Sequence, residues 1–281
     1  MISHLFTIEC LTNLHVGSGE TNYNIIDKEV ERDPIIKNTP IIPSSGVKGA
    51  LLEHCRDVCI INSKTKDYIF GYSKEAPDEN NNDKIIQKTE AGAYKFFTAN
   101  LLARPLRVSC GDKSYVLATT QEILEQFDKL TGAVGISEYN LGKPMEKTSG
   151  IPCSDESIKG VEGIQTTCHE LNPDVKKLLG YGYNDVDYCV VPSFQNFSLP
   201  VIARNQLTDG ISNNLWYEEF VPYKSVFYLI ILHPEADKKI NPEIFDEFKN
   251  AITKTDFPVQ FGANASIGCG YTQIKYICSN N

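Results

Sequence analysis

The apolar pattern at the start of the chain predicts a β-strand that ends in a turn. Residues 4–16, "HLFTIECLTNLHV", are rich in β-branched and aromatic side chains, and Gly17 and Gly19 follow them. This composition favours a strand closed by a glycine turn. Because the alternation is imperfect and apolar residues fall on both faces, we expect this strand to lie in the middle of a sheet.

A helical pattern follows in residues 44–61, "SSGVKGALLEHCRDVCII". Ser44 or Ser45 can cap the amino end of this helix through a side-chain oxygen. The apolar residues that recur at helical spacing are Val47, Leu51, Cys55 and Val58.

The remaining pattern alternates between strands and helices. We predict strands in 93–102, 114–120 and 225–232, and a helix in 121–130. A second helix is predicted after 232, with Asn241 as cap, Pro242 in its first turn and Ile244, Phe248 and Ile252 on one face.

Two polar regions interrupt this pattern. Residues 73–92 contain an Asn triplet and lack apolar periodicity, so we predict a surface loop or mobile insertion. Residues 131–188 are rich in Gly, Ser, Asp and Lys and are too long for an ordinary connection. A second glycine turn in 257–278 separates two further predicted strands, and it could lie near the first one in space.

The element order β, α, β, β, α, β with insertions predicts an α+β, ferredoxin-like core. At 281 residues and 41% hydrophobic content, the chain can bury such a core. No stretch approaches the roughly 20 apolar residues that span a bilayer, and residues 1–10 do not resemble a signal peptide. The nine cysteines are an odd number at irregular positions, which favours a reducing compartment. We therefore expect a cytoplasmic protein without a membrane partner.

The charge balance argues against a free-standing nucleic-acid binder. Lys and Arg number 27 against 36 Asp and Glu, a net charge of −9, and phosphate contacts require cations. Residues 91–120 are locally basic, with Lys95, Arg104, Arg107 and Lys113 against Asp112. A basic strip on an acidic body and scattered surface cations are both compatible with these numbers.

The residues alone leave several chemical interpretations open. Gly17 and Gly19 allow a backbone nest for phosphate or a plain tight turn. His15 could be an acid–base group or a structural hydrogen-bonding residue. Lys48, in the first turn of the predicted helix, could bind an anion together with the helix start or could be solvated. Asp27 follows two isoleucines and precedes three further acids, which usually indicates a solvated face but also allows a divalent-metal site.

Taken together, these features resemble the RAMP superfamily of CRISPR effector proteins and, within it, the backbone subunit of the type III-B Cmr complex. The resemblance spans nearly the whole chain, from residue 14 to residue 271, in the family's order. The matching stretches are "LHVGSG", "IIDKEVERDP", "PIIPSSGVKGAL", "FFTANLLARPLRV", "VIARNQLTDGISNNLWYEEFVP" and "FGANASIGCGY".

The resemblance implies a single RAMP domain over residues 1–281. It implies an RNA-recognition-like palm with an inserted thumb hairpin, for which residues 131–188 are the candidate together with subunit contacts. Copies of the chain would stack head to tail on a guide crRNA beside other subunits of the effector complex. A complementary target RNA would be cut at regular intervals.

The resemblance also implies roles for particular residues. Asp27 matches the family's catalytic aspartate, and His15, Glu218 and Glu219 rank below it as candidates. A divalent ion, Mg²⁺ or Mn²⁺, is expected near Asp27. The implied RNA-binding residues are Gly17, Ser18, Gly19, Arg32, Ser45, Lys48, Arg56, Arg107, Asn264 and Ser266.

The sequence departs from the family at Gly46, where a second serine is usual, and at Leu52, where an arginine is common. Arg56, one turn further, could reach the same phosphate or pair with a neighbouring acid such as Asp57. Two alternatives to an RNA-guided endoribonuclease stay open: a non-catalytic guide-RNA scaffold of a related type III complex, and a stand-alone guide-processing nuclease. The second alternative needs an acid–base constellation that His15 alone supplies poorly.

Overall fold

The chain folds around one large sheet with helices packed against it, as seen in a computed structural model. The α+β class predicted from the sequence is confirmed. Within the described residues, no helix has both the length and the apolar character needed to cross a membrane. The structure describes residues 1–19, 25–59, 61–78, 81–110, 114–137, 139–142, 160–161, 178, 188–235 and 243–280.

The regular elements of this part of the chain are four α-helices, one 3₁₀ turn and fourteen strands. The helices are α1 (Ser44–Asp57), α2 (Ser63–Phe70), α3 (Gln121–Ala133) and α4 (Ile244–Ile252), and the 3₁₀ turn is Ala265–Ile267. The strands are β1 (Ile2–Cys10), β2 (Ile41–Ile42), β3 (Gly71–Asp78), β4 (Asn81–Ala91), β5 (Lys95–Phe96), β6 (Ala99–Cys110), β7 (Tyr115–Thr120), β8 (Gly160–Val161), β9 (Tyr188–Val191), β10 (Val201–Thr208), β11 (Ile211–Glu219), β12 (Val226–His233), β13 (Val259–Gln260) and β14 (Tyr271–Ser279).

The large sheet has the strand order β13, β14, β1, β12, β6, β7, β9. β2 and β8 add to β6, and β5 adds to β12. β1 pairs antiparallel with β12 on one side and with β14 on the other. The prediction that the first strand lies in mid-sheet is therefore confirmed.

Both faces of the sheet are covered, which explains why its central strands are apolar throughout. On one face, α1 and α4 contribute Leu51 and Phe248 to a cluster that includes Phe6 of β1. On the other face, Phe127 of α3 packs with Tyr228 of β12, with ring centroids 4.9 Å apart. A strand buried on both faces shows a continuous apolar run rather than a clean alternation.

Three predicted details of the helices are wrong, two in α1 and the N-cap of α4. The N-cap of α1 is Pro43, without a side-chain cap, so Ser44 and Ser45 lie inside the first turn and are exposed. Val58 is the C-cap of this helix and is 48% exposed, because the helix ends before its side chain can turn towards the core. In α4 the N-cap is Glu243, while Asn241 and Pro242 lie outside the described residues. Its predicted face of Ile244, Phe248 and Ile252 is buried, as expected.

The predicted loop at 73–92 is also wrong. β3 and β4 pair antiparallel across most of this region and form a separate two-stranded sheet. Backbone pairing in an isolated ribbon does not require the alternating apolar pattern of a strand with one buried face.

The region predicted as an insertion, 131–188, lies largely outside the described residues. Its first residues continue α3 to Ala133, and Thr131 is buried with its hydroxyl donating to the carbonyl of Phe127 at 2.9 Å. Gly160–Val161 adds to β6. The assignment of thumb and subunit-contact elements to 131–188 stays a prediction.

Candidate active site

Two glycine loops, one following β1 and one preceding β14, meet at the same edge of the large sheet. Residues 15–19 form the first glycine loop and residues 262–270 form the second. The amide of Ala263 donates to the carbonyl oxygen of His15 at 2.9 Å. Gly262 has a φ of +75°, and a Cβ there would lie 2.2 Å from the same oxygen, so only glycine permits this approach. The closeness of the two glycine turns is confirmed.

Asp27 lies on the surface beside this meeting point, attached to β11. Its amide and the amide of Lys28 both donate to the carbonyl of Tyr217, at 3.1 and 3.2 Å. In return, the amide of Tyr217 donates to Oδ2 of Asp27 at 2.8 Å. The side chain is exposed, so the backbone fixes the carboxylate while water or a ligand can still reach it.

Beneath Asp27, Glu218 is buried and accepts hydrogen bonds from several elements. Lys28 Nζ and Trp216 Nε1 each donate to Oε1 at 2.8 Å. Asn264 Nδ2 donates to Oε2 at 2.9 Å, and Arg204 Nε lies 3.4 Å from the same oxygen. Burial by itself raises the pKa of Glu218, but the bonds from Lys28, Trp216 and Asn264 outweigh it and lower the pKa to about 2.

Glu219, the next residue, is also buried and pairs with Arg32. Arg32 Nη2 lies 2.5 Å from Oε1 and 2.6 Å from Oε2. The amide of Val30 donates to Oε2 at 3.2 Å, and Nε of Arg32 donates to Asn38 at 3.1 Å. Lys28, Arg32, Glu218 and Glu219 form a set of ion pairs that we call the carboxylate clamp.

The clamp joins the segment carrying Asp27 to the strand below it and, through Asn264, to the second glycine loop. Buried charges persist in proteins when they are paired and hydrogen-bonded. The geometry therefore gives Glu218 and Glu219 a structural part, since their oxygens are already occupied. Their lower rank as catalytic candidates agrees with this placement.

His15 is buried and its Nδ1 lies 2.7 Å from the carbonyl oxygen of Glu219. Because a carbonyl oxygen only accepts, Nδ1 is the donor of this hydrogen bond. The ring lies near Phe220, with centroids 5.6 Å apart. This arrangement matches the structural alternative for His15, which ties the first glycine loop to the end of β11.

The acids that follow Asp27 do not converge with it. Glu29 faces Arg32 at 3.8 Å. Asp33 accepts from the amides of Ile35 and Ile36, both at 2.8 Å, and so closes a turn. No group of three or more His, Cys, Asp or Glu side chains with metal-binding geometry occurs among the described residues. The described donors thus do not fit a metal cage around Asp27.

The implied RNA-binding residues occupy two kinds of environment. Gly17, Gly19, Ser45, Lys48, Arg107 and Ser266 are exposed, and Ser18 is partly buried. Arg32 and Asn264 are instead engaged with the clamp. Arg56 is exposed and forms a double hydrogen bond with Asp57, at 2.7 and 2.6 Å, which is the alternative considered for it. Arg104, counted in the basic strip, is buried, so that strip does not lie wholly on the surface.

Sequence reasoning missed the partners that hold this site together. Trp216, Tyr217 and Arg204 lie within a matched stretch, but their contacts to Glu218 and Asp27 depend on the register of β10 with β11. In that register Arg204 faces Trp216 and Ile202 faces Glu218. The adjacent pair of glutamates after two aromatic residues was the available signal, because buried acids require donors nearby.

Comparison with known proteins agrees with the expected family. A sequence profile of the RAMP superfamily matches residues 7–273. The chain is 22% identical over 299 aligned residues to a Pyrococcus furiosus protein named CRISPR system Cmr endoribonuclease Cmr4, covering 98% of this chain and 95% of that protein. This chain belongs to the RAMP superfamily.

Solved structures share the same fold. One is a chain in a cryo-EM structure of the type III-B Cmr-beta bound to cognate target RNA, with a TM-score of 0.71 and 22% identity over 98% of this chain and 97% of that chain. Another is the crystal structure of oligomeric Cmr4 from Pyrococcus furiosus, with a TM-score of 0.64 and 18% identity over 99% of both chains. The likeness extends over the full length of each chain, which is what a shared architecture requires.

Proposed function

We propose that this chain is a guide-RNA-binding subunit of a type III-B CRISPR effector complex that cleaves complementary target RNA at regular intervals. Its relative from Pyrococcus furiosus is named a Cmr endoribonuclease, and the two sequences match over nearly their full lengths. The chains of similar fold come from an RNA-bound Cmr complex and from an oligomeric Cmr4 crystal. Copies of this chain stacked along a guide would repeat one cleavage site at a fixed spacing.

In this proposal the palm is ferredoxin-like. The central strands run in the order β14, β1, β12, β6, with α1 between β1 and β6 and α4 between β12 and β14. This is the order of a split βαβ sheet with both helices on one face. The β10–β11 hairpin is a separate ribbon exposed along most of its length beside this palm, and the thumb keeps its predicted assignment to residues 131–188.

The observation that carries the proposal is the placement of Asp27. It is an exposed carboxylate with one fixed hydrogen bond, at the root of the hairpin and beside the two glycine loops. The exposed glycines of these loops, Gly17, Gly19, Gly262 and Gly268, let a polynucleotide backbone approach closely. A strand of RNA lying on these loops would bring a scissile phosphate near Asp27.

The chemistry assigned to Asp27 is help for attack by the ribose 2′-oxygen. The carboxylate accepts the hydroxyl proton while the 2′-oxygen bonds to phosphorus and the bond to the 5′-oxygen breaks. The 5′-oxygen gains a proton, which leaves a cyclic phosphate and a free 5′-hydroxyl. General-base assistance contributes about 10²- to 10⁴-fold in rate. DNA lacks the 2′-hydroxyl and would not be cut.

The expected Mg²⁺ or Mn²⁺ stays a prediction. Asp27 offers one carboxylate, while Asp33 and Glu29 are bonded elsewhere within the described chain. We therefore assign no step to a metal ion.

Guide binding is assigned to the exposed polar groups around the start of α1. Ser45 lies in the first turn of α1, where unpaired amides and the helix dipole favour an anion, and the exposed Lys48 follows at the start of the second turn. A few cations at the start of α1 are compatible with a net charge of −9, because neighbouring copies in the filament would supply the rest of the RNA-binding surface. Lys48→Ala should lower guide retention and reduce its salt slope by about one unit, the effect of losing one phosphate contact.

The decisive experiment is Asp27→Ala in a complex reassembled with guide RNA. Single-turnover cleavage of a complementary target should fall at least about 100-fold, the lower end of general-base contributions. Target affinity should not change, because the backbone bonds between 27 and 217 do not need the side chain. Asp256→Ala, which removes another exposed acid, is the matched control and should cut normally.

Two results would contradict parts of the proposal. If Asp27→Ala cuts at the wild-type rate, the scaffold alternative is correct and another subunit performs cleavage. If the chain does not assemble on a guide RNA, the proposed function itself is wrong.

A further inference from the structure

Two buried histidines lie side by side on the face of the sheet that α1 and α4 cover. His4 of β1 faces Ile231 of β12 across the strand register, so His233, two residues further along β12, lies on the same face. The two imidazole rings are stacked, with centroids 4.9 Å apart and an angle of 20° between their planes. Each histidine is 4% exposed. Neither belongs to the glycine loops or to the carboxylate clamp.

Helix α4 packs an aromatic ring against this pair. The ring of Phe245, the second residue of α4, has its centroid 3.7 Å from that of His4 and 4.8 Å from that of His233, and it is stacked on both. Tyr276 of β14 flanks His4 at 5.9 Å, and Tyr94 flanks His233 at 5.5 Å. The two imidazoles are therefore part of the aromatic cluster that holds the first turn of α4 against the sheet.

The surroundings of His4 suit a neutral ring and not a charged one. Its Nε2 is buried without a hydrogen-bond partner among the described residues, and its Nδ1 lies 3.5 Å from the hydroxyl of Tyr276, a long distance for a hydrogen bond. A neutral imidazole has one donor and one acceptor, whereas the imidazolium has two donors. Protonation would place a cation in an apolar cluster with a donor that has no acceptor, and both changes are unfavourable.

The charged groups that face His4 from the neighbouring elements have a mixed effect. From β12, His233 would present a second positive charge if both rings were protonated. From α4, Lys249 Nζ lies 5.3 Å from the ring centroid of Tyr276, and Asp246, which alone favours a proton on His4, is paired with Lys249 at 2.6 Å. Burial, His233 and Lys249 outweigh Asp246 and lower the pKa of His4 to about 3.

We propose that His4, stacked on His233 and Phe245, is a proton-sensitive latch that releases α4 from the sheet in acid. While the ring is neutral, Phe245 stacks on it and α4 stays closed. A protonated ring reaches water only when α4 moves away, so acid favours the open state. The inference does not depend on the proposed function, because it concerns the packing of α4 alone.

The sign of the pH effect follows from the lowered pKa. In an open state His4 has the ordinary histidine pKa of 6.5 and binds a proton below that pH, whereas in the closed state it stays neutral until about pH 3. The stabilisation of the closed state is therefore fully present above pH 6.5 and is lost as the pH falls towards 3. Between pH 7 and pH 5, the equilibrium constant for opening should rise roughly 25-fold.

Hydrogen exchange of the full chain at pH 7 and pH 5, corrected for the intrinsic exchange rate, tests the latch. Peptides from α4 should lose protection by roughly 25-fold, while peptides from α3 should keep theirs. Helix α3 lies on the opposite face of the sheet, and its buried residues, Ile123, Leu124, Phe127 and Thr131, include no histidine. Glu218 stays ionised over this pH range, so the carboxylate clamp remains intact.

His4→Phe removes the proton site while keeping a ring on which Phe245 can stack. The response of α4 between pH 7 and pH 5 should fall to less than about threefold in this variant. His54→Gln is the matched control, because the Nε2 of this buried histidine of α1 also contacts α4, 3.3 Å from the carbonyl oxygen of Ala251. Burial lowers the pKa of His54, but its bond to Ala251 counteracts this effect, so the control should keep most of the response.

The wild-type imidazole of His4 provides a direct measurement that needs no variant. Its NMR resonance should not titrate between pH 7 and pH 5 in the closed state. Titration of this resonance near pH 6.5 would show that the closed state tolerates the charged ring, and the inference would be wrong even if His4→Phe did not fold.

Two further results would overturn the inference. Equal loss of protection in α3 and α4 would show that acid unfolds the whole chain instead of releasing one helix. An unchanged response in a folded His4→Phe variant would place the proton site elsewhere, and on His54 if His54→Gln then abolishes the response.

Discussion

Asp27 and Glu218 are carboxylates on two segments that lie side by side, yet their surroundings are opposite. Asp27 is exposed, and its carboxylate accepts a hydrogen bond from the amide of Tyr217. Glu218 is 1% exposed and receives donors from Lys28, Trp216 and Asn264. One carboxylate can still accept a proton or contact a ligand, while the other is committed to the fold.

This difference shows how a surface acid can be fixed in place without being buried. The buried clamp fixes the segment at 28–32 against β11. The main-chain hydrogen bonds between residues 27 and 217 then hold Asp27 in place on that strand. Reactive groups work best when surrounding residues hold them rigidly. The comparison predicts that removing clamp residues lowers stability, whereas altering Asp27 affects chemistry alone.

The largest loss of stability is expected for Glu219→Ala. Removing Glu219 leaves Arg32 with the more distant Glu29, at 3.8 Å, as its remaining acid. Breaking a buried ion pair costs about 3 kcal/mol, the low end of the usual range, because Arg32 is 27% exposed. Urea unfolding at pH 7 would measure the difference. Glu235→Ala, which removes an exposed acid that lies near the amino terminus, is the control. Equal losses of unfolding free energy in the two variants would show that the ion pair between Arg32 and Glu219 does not stabilise the fold more than an exposed acid does.

The second effect is a dependence of stability on pH caused by Glu218. Its pKa is about 2 in the folded chain against 4.5 for a free side chain, so folding favours the ionised form. The stabilisation is fully present above pH 4.5 and is lost as the pH falls towards 2, by an amount on the order of 3 kcal/mol.

Unfolding measured between pH 7 and pH 2 would test this dependence. The wild type should lose more stability over that window than Glu218→Gln, whose neutral side chain does not titrate. Parallel curves for the two proteins would contradict the assignment.

A smaller loss is expected for Trp216→Phe. The indole donates to Glu218 Oε1 at 2.8 Å, and a bond to a charged group contributes roughly 1.5 kcal/mol. Denaturant titration should detect this loss, and Tyr217→Phe, which keeps the backbone bonds to Asp27, should stay close to wild type. If Trp216→Phe leaves the free energy of unfolding unchanged, a water molecule replaces the indole as donor to Glu218.

The smallest effect on stability is expected for Asp27→Asn. The remaining side-chain oxygen can accept the same amide, so the free energy of unfolding should change by less than about 0.5 kcal/mol, as for other surface substitutions. Cleavage by the assembled complex should still fall sharply, because the basic oxygen is gone. A large loss of stability would show that Asp27 stabilises the fold as the clamp residues do, and would contradict the difference drawn between Asp27 and Glu218.

Much of the core could be predicted because burial leaves a periodic trace. The helix beginning at 44 and the buried face of α4 repeat apolar residues at helical spacing, and the strand at 2–10 is buried on both faces and rich in β-branched and aromatic residues. The hairpin at 71–91 left no such trace, since a ribbon that pairs with itself does not require an alternating apolar pattern. Caps were misplaced because the end of a helix depends on a few bonds rather than on its repeating face.

The candidate site was predicted unevenly for a related reason. Asp27, Ser45 and Lys48 were predicted as site residues from their order along the chain, and the structure places all three at the surface. The parts of Glu218 and Arg32 in holding the site together were not predicted, because each depends on a partner far away in sequence. For His15 a structural hydrogen bond was one of the two interpretations, but its partner was not predicted. His15 and Glu219 are separated by 204 positions yet share a hydrogen bond.

The sequence by itself determined the α+β class, the central strand and the membership of the RAMP superfamily, because these follow from local periodicity and from motifs in a fixed order. Only the tertiary structure decided which acids are free and which are paired. Charge pairing depends on distances of a few ångströms between segments brought together by the register of β10 with β11 and by the meeting of the glycine loops. Those distances are set by packing across the whole sheet, and no single segment encodes them.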